Sequence, residues 1–525
     1  MVTLLAALPI AAILVLMVAA RWSAAAAGAT AAAGTLVLAL TVFGFGGADF
    51  PFDPAQGVLG VLARAAWVAL TVMLIIGPAL GIHHLQQRTG ATSALEAGLA
   101  RITPDPRVAA LLIVWFFCLL IEGAAGFGTP VALAAPFLVA AGFRPVTAVV
   151  GAMVGHASAV PFAAVGTPTL AQLAIVDVPA RELAWAVAPY TAVAGVVLAF
   201  VVARLVGTLL PTEGPPWGWM AVAYVAFFVP NLVIARFVGP ELPSLVGSIV
   251  GAVAFVLVVR WVIRRQARTG ALVGGNPAGE TLVGEPAPEV AETSAGRPAP
   301  SMSFLAATAP YLVLVVLVLV TRLVVPVQDA ARSVVWRWEV FGHFSESIEP
   351  LYHPGLLLAL SFVAGAVWQR AAVGDMGWAF VRATRQVIPV FVALLAMVTV
   401  AFAMSESGMT TQLAVAAAGA GALWPVLSPF VGALGTFMTG SATASNILFT
   451  EFQDQTALAA ELDPVPLLGA QGAGAAIGNI ICPHNVVAAA ATVGLGGREG
   501  QVLRQALPVA AVCLVLIGAM AWVIV

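Results

Sequence analysis

Apolar stretches of roughly bilayer length recur from one end of this chain to the other, and they restrict the fold more than any motif does. They cover 3–20, 24–44, 61–82, 107–121, 145–165, 183–208, 216–233, 240–263, 303–325, 355–369, 386–404, 428–438, 464–481 and 504–525. A spanning helix needs about 20 mostly apolar residues. Only 9% of the 525 residues are charged, against roughly 25% in soluble domains. A soluble chain of this size has wet surfaces to cover, and this one lacks the charges to cover them. Lipid must be the main solvent. Strand-like alternation is absent, so backbone satisfaction in lipid requires a helix bundle. The reading is an all-α polytopic membrane protein of about 12–14 transmembrane helices.

The first basic residue is Arg21. With no basic n-region before it, Leu4 to Val18 reads as a retained first helix rather than a signal peptide. The net charge of −2 argues against nucleic acid as a partner. Cys118, Cys482 and Cys513 have neither disulfide nor metal spacing.

Residues 266–302 are rich in Gly, Pro, Glu, Thr and Ser and read as a flexible linker. Arg260, Arg264, Arg265 and Arg268 precede it, which marks the cytoplasmic side. Residues 326–350 carry Asp329, Glu339, Glu346 and Glu349 and belong outside. The expected division is a first transmembrane repeat over 1–210, connecting segments over 211–265, the linker, and a second repeat over 303–525.

The two repeats are suggested by offsets. Gly90 and Gly408 are separated by 318 residues, Pro130 and Asn446 by 316, and Pro168 and Pro483 by 315. Loop 83–107 holds Arg88, Arg101 and Arg107, whereas its counterpart, 405–412, holds Glu406 and no basic residue. Opposite charge bias indicates opposite orientation, hence inverted repeats. One inconsistency remains. Five apolar segments separate loop 83–107 from the arginines at 260–268, yet both should be inside. An odd count is impossible, and 216–263 is the expected place of the error.

Interrupted segments are the sequence mark of a transporter site. In Glu122-Gly-Ala-Ala-Gly-Phe-Gly-Thr-Pro130, three glycines and a proline break an apolar run. This predicts a re-entrant hairpin over 123–142. Gly155-His156-Ala-Ser158 and Gly166-Thr167-Pro168-Thr169 predict an unwound point inside a helix. The second half supplies Thr439-Gly-Ser441-Ala-Thr443-Ala-Ser445-Asn446 and Gly478-Asn-Ile-Ile-Cys482-Pro-His484-Asn485. Half-helix N-termini at such breaks point N–H groups at an anion, and hydroxyls and amides suit a carboxylate with an adjacent hydroxyl. Small residues also serve close helix packing, but four such runs paired by a repeat favour a site.

Glu122 is a candidate proton carrier, because a charge at membrane depth costs about 2.5–3.5 kcal/mol on insertion scales and a protonated carboxyl costs less. A carboxyl that merely props the hairpin is the competing reading. His156 and His484 are the other titratable candidates. Arg144 reads as an interfacial anchor. The GxxGxG spacing here follows no strand and is not a dinucleotide site. One Cys and one His at 482 and 484 are too few for a metal. His156 and Ser158, at i and i+2 on a helix, face apart and form no hydrolytic dyad. No catalytic constellation remains, so the chain is not read as an enzyme.

Ile121-Glu-Gly-Ala-Ala-Gly-Phe-Gly-Thr-Pro-Val-Ala132 resembles the signature of the L-lactate permease family. Gly478-Asn-Ile-Ile-Cys-Pro-His-Asn-Val-Val-Ala-Ala489, followed by Thr492-Val-Gly-Leu495, resembles its second signature. Cys482 and His484 depart from the small or polar residues expected there. The resemblance runs along most of the chain. It implies secondary, proton-coupled transport of lactate and glycolate in the bacterial cytoplasmic membrane, driven by the gradient with no cofactor, and inverted repeats with re-entrant hairpins. It nominates Glu122, Thr129, Gly166, Thr167, Ser441, Ser445, Asn446, His484 and Asn485; with Thr443 and His156 from the residue patterns, Glu122 and His156 are assigned to proton coupling and the others to substrate. A sodium-coupled carrier of another carboxylate and an uncoupled channel are the rival readings. A homodimer is left open.

Overall fold

The computed structural model describes residues 2–20, 22–45, 53–100, 103, 105–126, 129–268, 302–495 and 498–525. Nothing is said of the remainder, so most of the expected linker lies outside the described residues, as do the side chains of Thr129 and His484. Eleven helices are long and apolar enough to cross a membrane, and three shorter apolar helices accompany them.

The first half runs α1 (Val2–Leu14), α2 (Ala24–Leu38), α3 (Pro54–Thr89), α4 (Ala91–Ala100), α5 (Pro106–Ala124), α6 (Thr129–Ala140), α7 (Pro145–His156), α8 (Ala163–Leu173) and α9 (Ala180–Val206). Two connecting helices follow, α10 (Trp217–Phe237) and α11 (Pro243–Arg268). The second half runs α12 (Phe304–Leu323), α13 (Val325–Arg332), strands β1 (Trp336–Val340) and β2 (Phe344–Ile348), α14 (Pro354–Trp368), α15 (Val373–Glu406), α16 (Met409–Ala418), α17 (Trp424–Thr439), α18 (Ala442–Ala459), α19 (Pro464–Ile481), α20 (Pro483–Thr492) and α21 (Glu499–Ile524). The order of α3 to α9 is matched by α15 to α21. In each half a long helix ends at a left-handed glycine, Gly90 (φ 77°) or Gly408 (φ 72°). A short helix, a helical hairpin, a broken helix and a final spanning helix then follow.

Contacts between elements assign the two ends of the bundle. Arg88 on α3 meets Asp375 at the start of α15 (2.9 Å), while Arg64 meets Glu346 on β2 (2.8 Å). The hairpin α5–α6 is therefore entered from the Arg88 end. The hairpin α17–α18 is entered from the β-strand end, where Glu406 closes α15 against His343 (3.2 Å). Opposite entry is the inversion expected from the loop charges.

Two expectations need correction. The first hairpin is not 123–142; its arms are Pro106–Ala124 and Thr129–Ala140, so segment 107–121 is a hairpin arm rather than a crossing. The tip reaches only the middle of the next, broken span, where the Gly126 Cβ position lies 3.3 Å from the Ala164 Cβ. This removes one crossing and restores an even count between Arg88 and the arginines in the last turns of α11. The error was not in 216–263, which forms two full helices. The second correction is the antiparallel pair β1–β2, with Trp338 opposite Glu346; an otherwise helical chain carries a strand hairpin at one end.

The two largest apolar clusters among the described residues lie in different parts of the molecule. One joins α1, α2, α3 and α15 around Val68, Leu80, Met397 and Phe402. The other joins the first hairpin, the broken helices and α9, α10 and α21 around Trp115, Phe116, Tyr190 and Phe227. Small residues let α17 and α19 touch backbone to backbone: a Cβ on Gly432 would strike the Gln471 carbonyl, and one on Gly474 the Pro429 carbonyl. Such close packing substitutes for the hydrophobic drive that lipid removes.

Candidate functional site

The centre of the molecule is built from breaks. After α7 the chain tightens into a 3₁₀ turn over Ala157–Phe162. Ala164, Val165 and Gly166 then adopt left-handed geometry (φ 42°, 58° and 81°) before α8 resumes. For a β-branched residue such as Val165 this is a true outlier, and strain of this kind persists only where surroundings over-determine it. A Cβ on Gly166 would overlap the Pro240 carbonyl, so the α10–α11 loop presses directly on the turn.

Side chains take up the carbonyls that the break frees. Thr167 donates to Ala164 O (2.6 Å) and Thr169 to Pro161 O (2.8 Å). Ser244, at the start of α11, donates to Ala159 O (2.8 Å), and the Asn446 amide on α18 donates to Pro168 O (2.9 Å). Unpaired, each would carry a desolvation penalty of about 1–3 kcal/mol.

The second hairpin turns at Gly440 (φ 76°), and Ser441 caps α18 by accepting from the Ala444 N–H (3.3 Å). The second broken helix bends at Cys482, where Pro483 starts α20. The Asn485 amide donates to the Asn479 side chain across that bend.

These pieces line a cavity of about 30 Å³. The first hairpin contributes Glu122 and Gly126, the first break Val160, Ala163, Ala164, Thr167 and Pro168, the second hairpin Gly440–Thr443, and the second break Asn479. Glu122 is buried, and its Oε2 has no hydrogen-bond partner among the described residues. A second cavity of about 990 Å³ shares Gly440 and Ser441 with the first. It is walled by α15 and the start of α2 and contains Asn485.

Of the residues nominated from sequence, Glu122, Thr167, Ser441 and Thr443 line the small cavity. Gly166 lies beside it as the contact for Pro240. Asn446 stands behind it, holding Pro168. Ser445 ties the two hairpin arms through Gly432 O (2.7 Å). His156 is buried outside the lining, its Nδ1 2.9 Å from Ala152 O. Asn485 faces the large cavity. Asn479 was missed although it lies inside a quoted motif, as were Gly126 and Gly440. A further omission is the buried pair Glu241–Arg322 (2.6 Å, each side chain 5% exposed), which no motif announces.

The family model described as L-lactate permease matches residues 2–525. The chain belongs to the L-lactate permease family. It is 26% identical over 510 residues to the L-lactate permease of Bacillus subtilis, covering 89% of this chain and 86% of that one. Glycolate permease GlcA of Escherichia coli is 28% identical over 519 residues, with 91% and 88% covered. The solved structure of Neisseria gonorrhoeae MtrF aligns over 94% of both chains at 16% identity and a TM-score of 0.49. The chain is thus a multi-pass membrane protein of a permease family whose members are named for small 2-hydroxy acids.

Proposed function

We propose that the protein is a secondary active transporter that carries L-lactate and related 2-hydroxy-monocarboxylates, including glycolate and D-lactate, across the bacterial cytoplasmic membrane by proton symport. The carrying observation is the convergence of two helix starts, two hairpin tips and a buried carboxyl on one cavity. The N-terminus of α18 and the left-handed turn before α8 supply N–H groups and positive dipole ends for a carboxylate. The Ser441 and Thr443 hydroxyls and the Asn479 amide suit the 2-hydroxyl. Glu122, with one oxygen free, takes the proton, so that acid and carrier cross together without net charge. The bend at Cys482 and the hairpin tips are the parts that part and close. The basic loops put the Arg88 end in the cytoplasm.

Proton rather than sodium coupling is favoured by the hydroxyls and amide that occupy the carbonyls of the first break. The test is L-lactate uptake into proteoliposomes under an inward proton gradient without sodium. Accumulation should collapse with a protonophore. Glu122→Gln should abolish gradient-driven accumulation while retaining lactate exchange; unchanged accumulation in this variant removes Glu122 from the coupling role, and uptake only with sodium removes the proton reading.

A further inference from the structure

The two cavities differ in size, and residues that line both separate them. On one side is the small compartment of about 30 Å³, walled by the hairpin tips and the breaks. On the other is the 990 Å³ cavity, at the upper end of the range for small-molecule pockets. The partition consists of Gly440 and Ser441, which line both, and of the Asn479–Asn485 pair, whose first member faces the compartment and whose second faces the large cavity. The far wall of the large cavity is apolar, with Pro389, Val390, Leu394 and Met397 from α15 and Met438 from α17. Methionine adapts its shape to a ligand.

The large cavity opens towards the Arg88 end. Its lining at that end includes Ser23 and Gln386. Ser23 begins α2, a helix whose following segment brings Phe45 to Gly57 near the other end. Gln386 is 3.0 Å from His84, close to the C-terminal end of α3.

We infer that this vestibule binds 2-hydroxy acids bearing a bulky apolar 2-substituent, which enter from the Arg88 end, place the carboxylate at Ser441 and Asn485, and block the carrier instead of being carried. This rests on the proposed reading of the compartment as the lactate site. The carboxylate and hydroxyl find the same hairpin tip that lactate finds. The substituent lies along α15, where lactate has nothing to bury. With that tail lying along α15, the partition cannot close behind the ligand.

The probe is 3-phenyllactate, tested against L-lactate counterflow in membrane vesicles of both orientations. Competitive inhibition is expected from the Arg88 face only, with no counterflow of labelled 3-phenyllactate itself. Ala393→Trp, which fills the vestibule wall away from the partition, should weaken inhibition at least tenfold relative to the KM for lactate. Carriage of 3-phenyllactate at a rate comparable with lactate, inhibition equal from both faces, inhibition unaltered in Ala393→Trp, or no inhibition at a hundredfold excess over lactate each overturns the inference. Absence of lactate counterflow in the parent protein instead overturns the reading on which it rests.

Discussion

Arg322→Gln tests the most heavily buried ion pair in the described structure. Arg322 ends α12 and donates to Glu241 from Nε (3.0 Å) and Nη2 (2.6 Å), to the Tyr352 carbonyl (3.1 Å), and lies 3.4 Å over the Tyr352 ring. Glu241 belongs to the loop that presses on Gly166, so the pair holds that loop against the left-handed turn. Removing one partner of a buried pair strands the other, at about 3–5 kcal/mol. The cation–π contact adds about 1–2 kcal/mol on the arginine side alone. Arg322→Gln should therefore destabilise by roughly 4–7 kcal/mol and Glu241→Gln by about 3–5 kcal/mol. The double variant leaves two neutral amides and no stranded charge, so it should lie closer to the parent than either single change. Resistance to denaturation in detergent, measured for all four proteins, gives the coupling directly. A double variant whose loss equals the sum of the two single losses, or an Arg322→Gln loss under about 1 kcal/mol, would refute the argument that these charges depend on each other.

Gly166→Ala should cost about 1–2 kcal/mol for left-handed geometry alone, and more from its overlap with Pro240 O; a raised KM for lactate in proteoliposomes is the expected readout. Asn446→Asp removes the donor from Pro168 O and should lower stability by about 1–3 kcal/mol, with transport falling in step, as checked by denaturation and uptake together. His353 caps α14 by accepting from the Gly355 N–H (3.2 Å), and burial, aided by the Arg322 guanidinium, holds its pKa down to about 4. The unfolded side chain titrates near ~6.5, so the stability that His353 contributes is present above that pH and is lost as the pH falls towards 4. His353→Asn keeps a cap and should flatten the pH dependence of the unfolding midpoint over that window.

Much of this architecture could be read without coordinates. The scarcity of charge required a membrane bundle, the glycine and proline interruptions marked both breaks, and loop arginines indicated inversion. The first hairpin was misread because 107–121 is as apolar as any crossing. Only the meeting of Gly126 with Ala164 limits how far that arm reaches. Thr167, Ser441 and Thr443 line the small cavity, and their small polar side chains beside a break are what singled them out in the sequence. His156 lies outside that lining, with Nδ1 beside Ala152 O of its own helix, a placement that the letter in the sequence does not reveal.

By itself the sequence determined the solvent, the repeat order, the break points and the family, since these depend on hydropathy, charge and glycine or proline content within short windows. Tertiary structure alone decided which breaks meet. Asn446 finds Pro168 across 278 residues, and Arg322 finds Glu241 across 81. Such pairings follow from how helices cross, and helix crossings are set by the summed packing of side chains from both halves, which no short window of sequence contains.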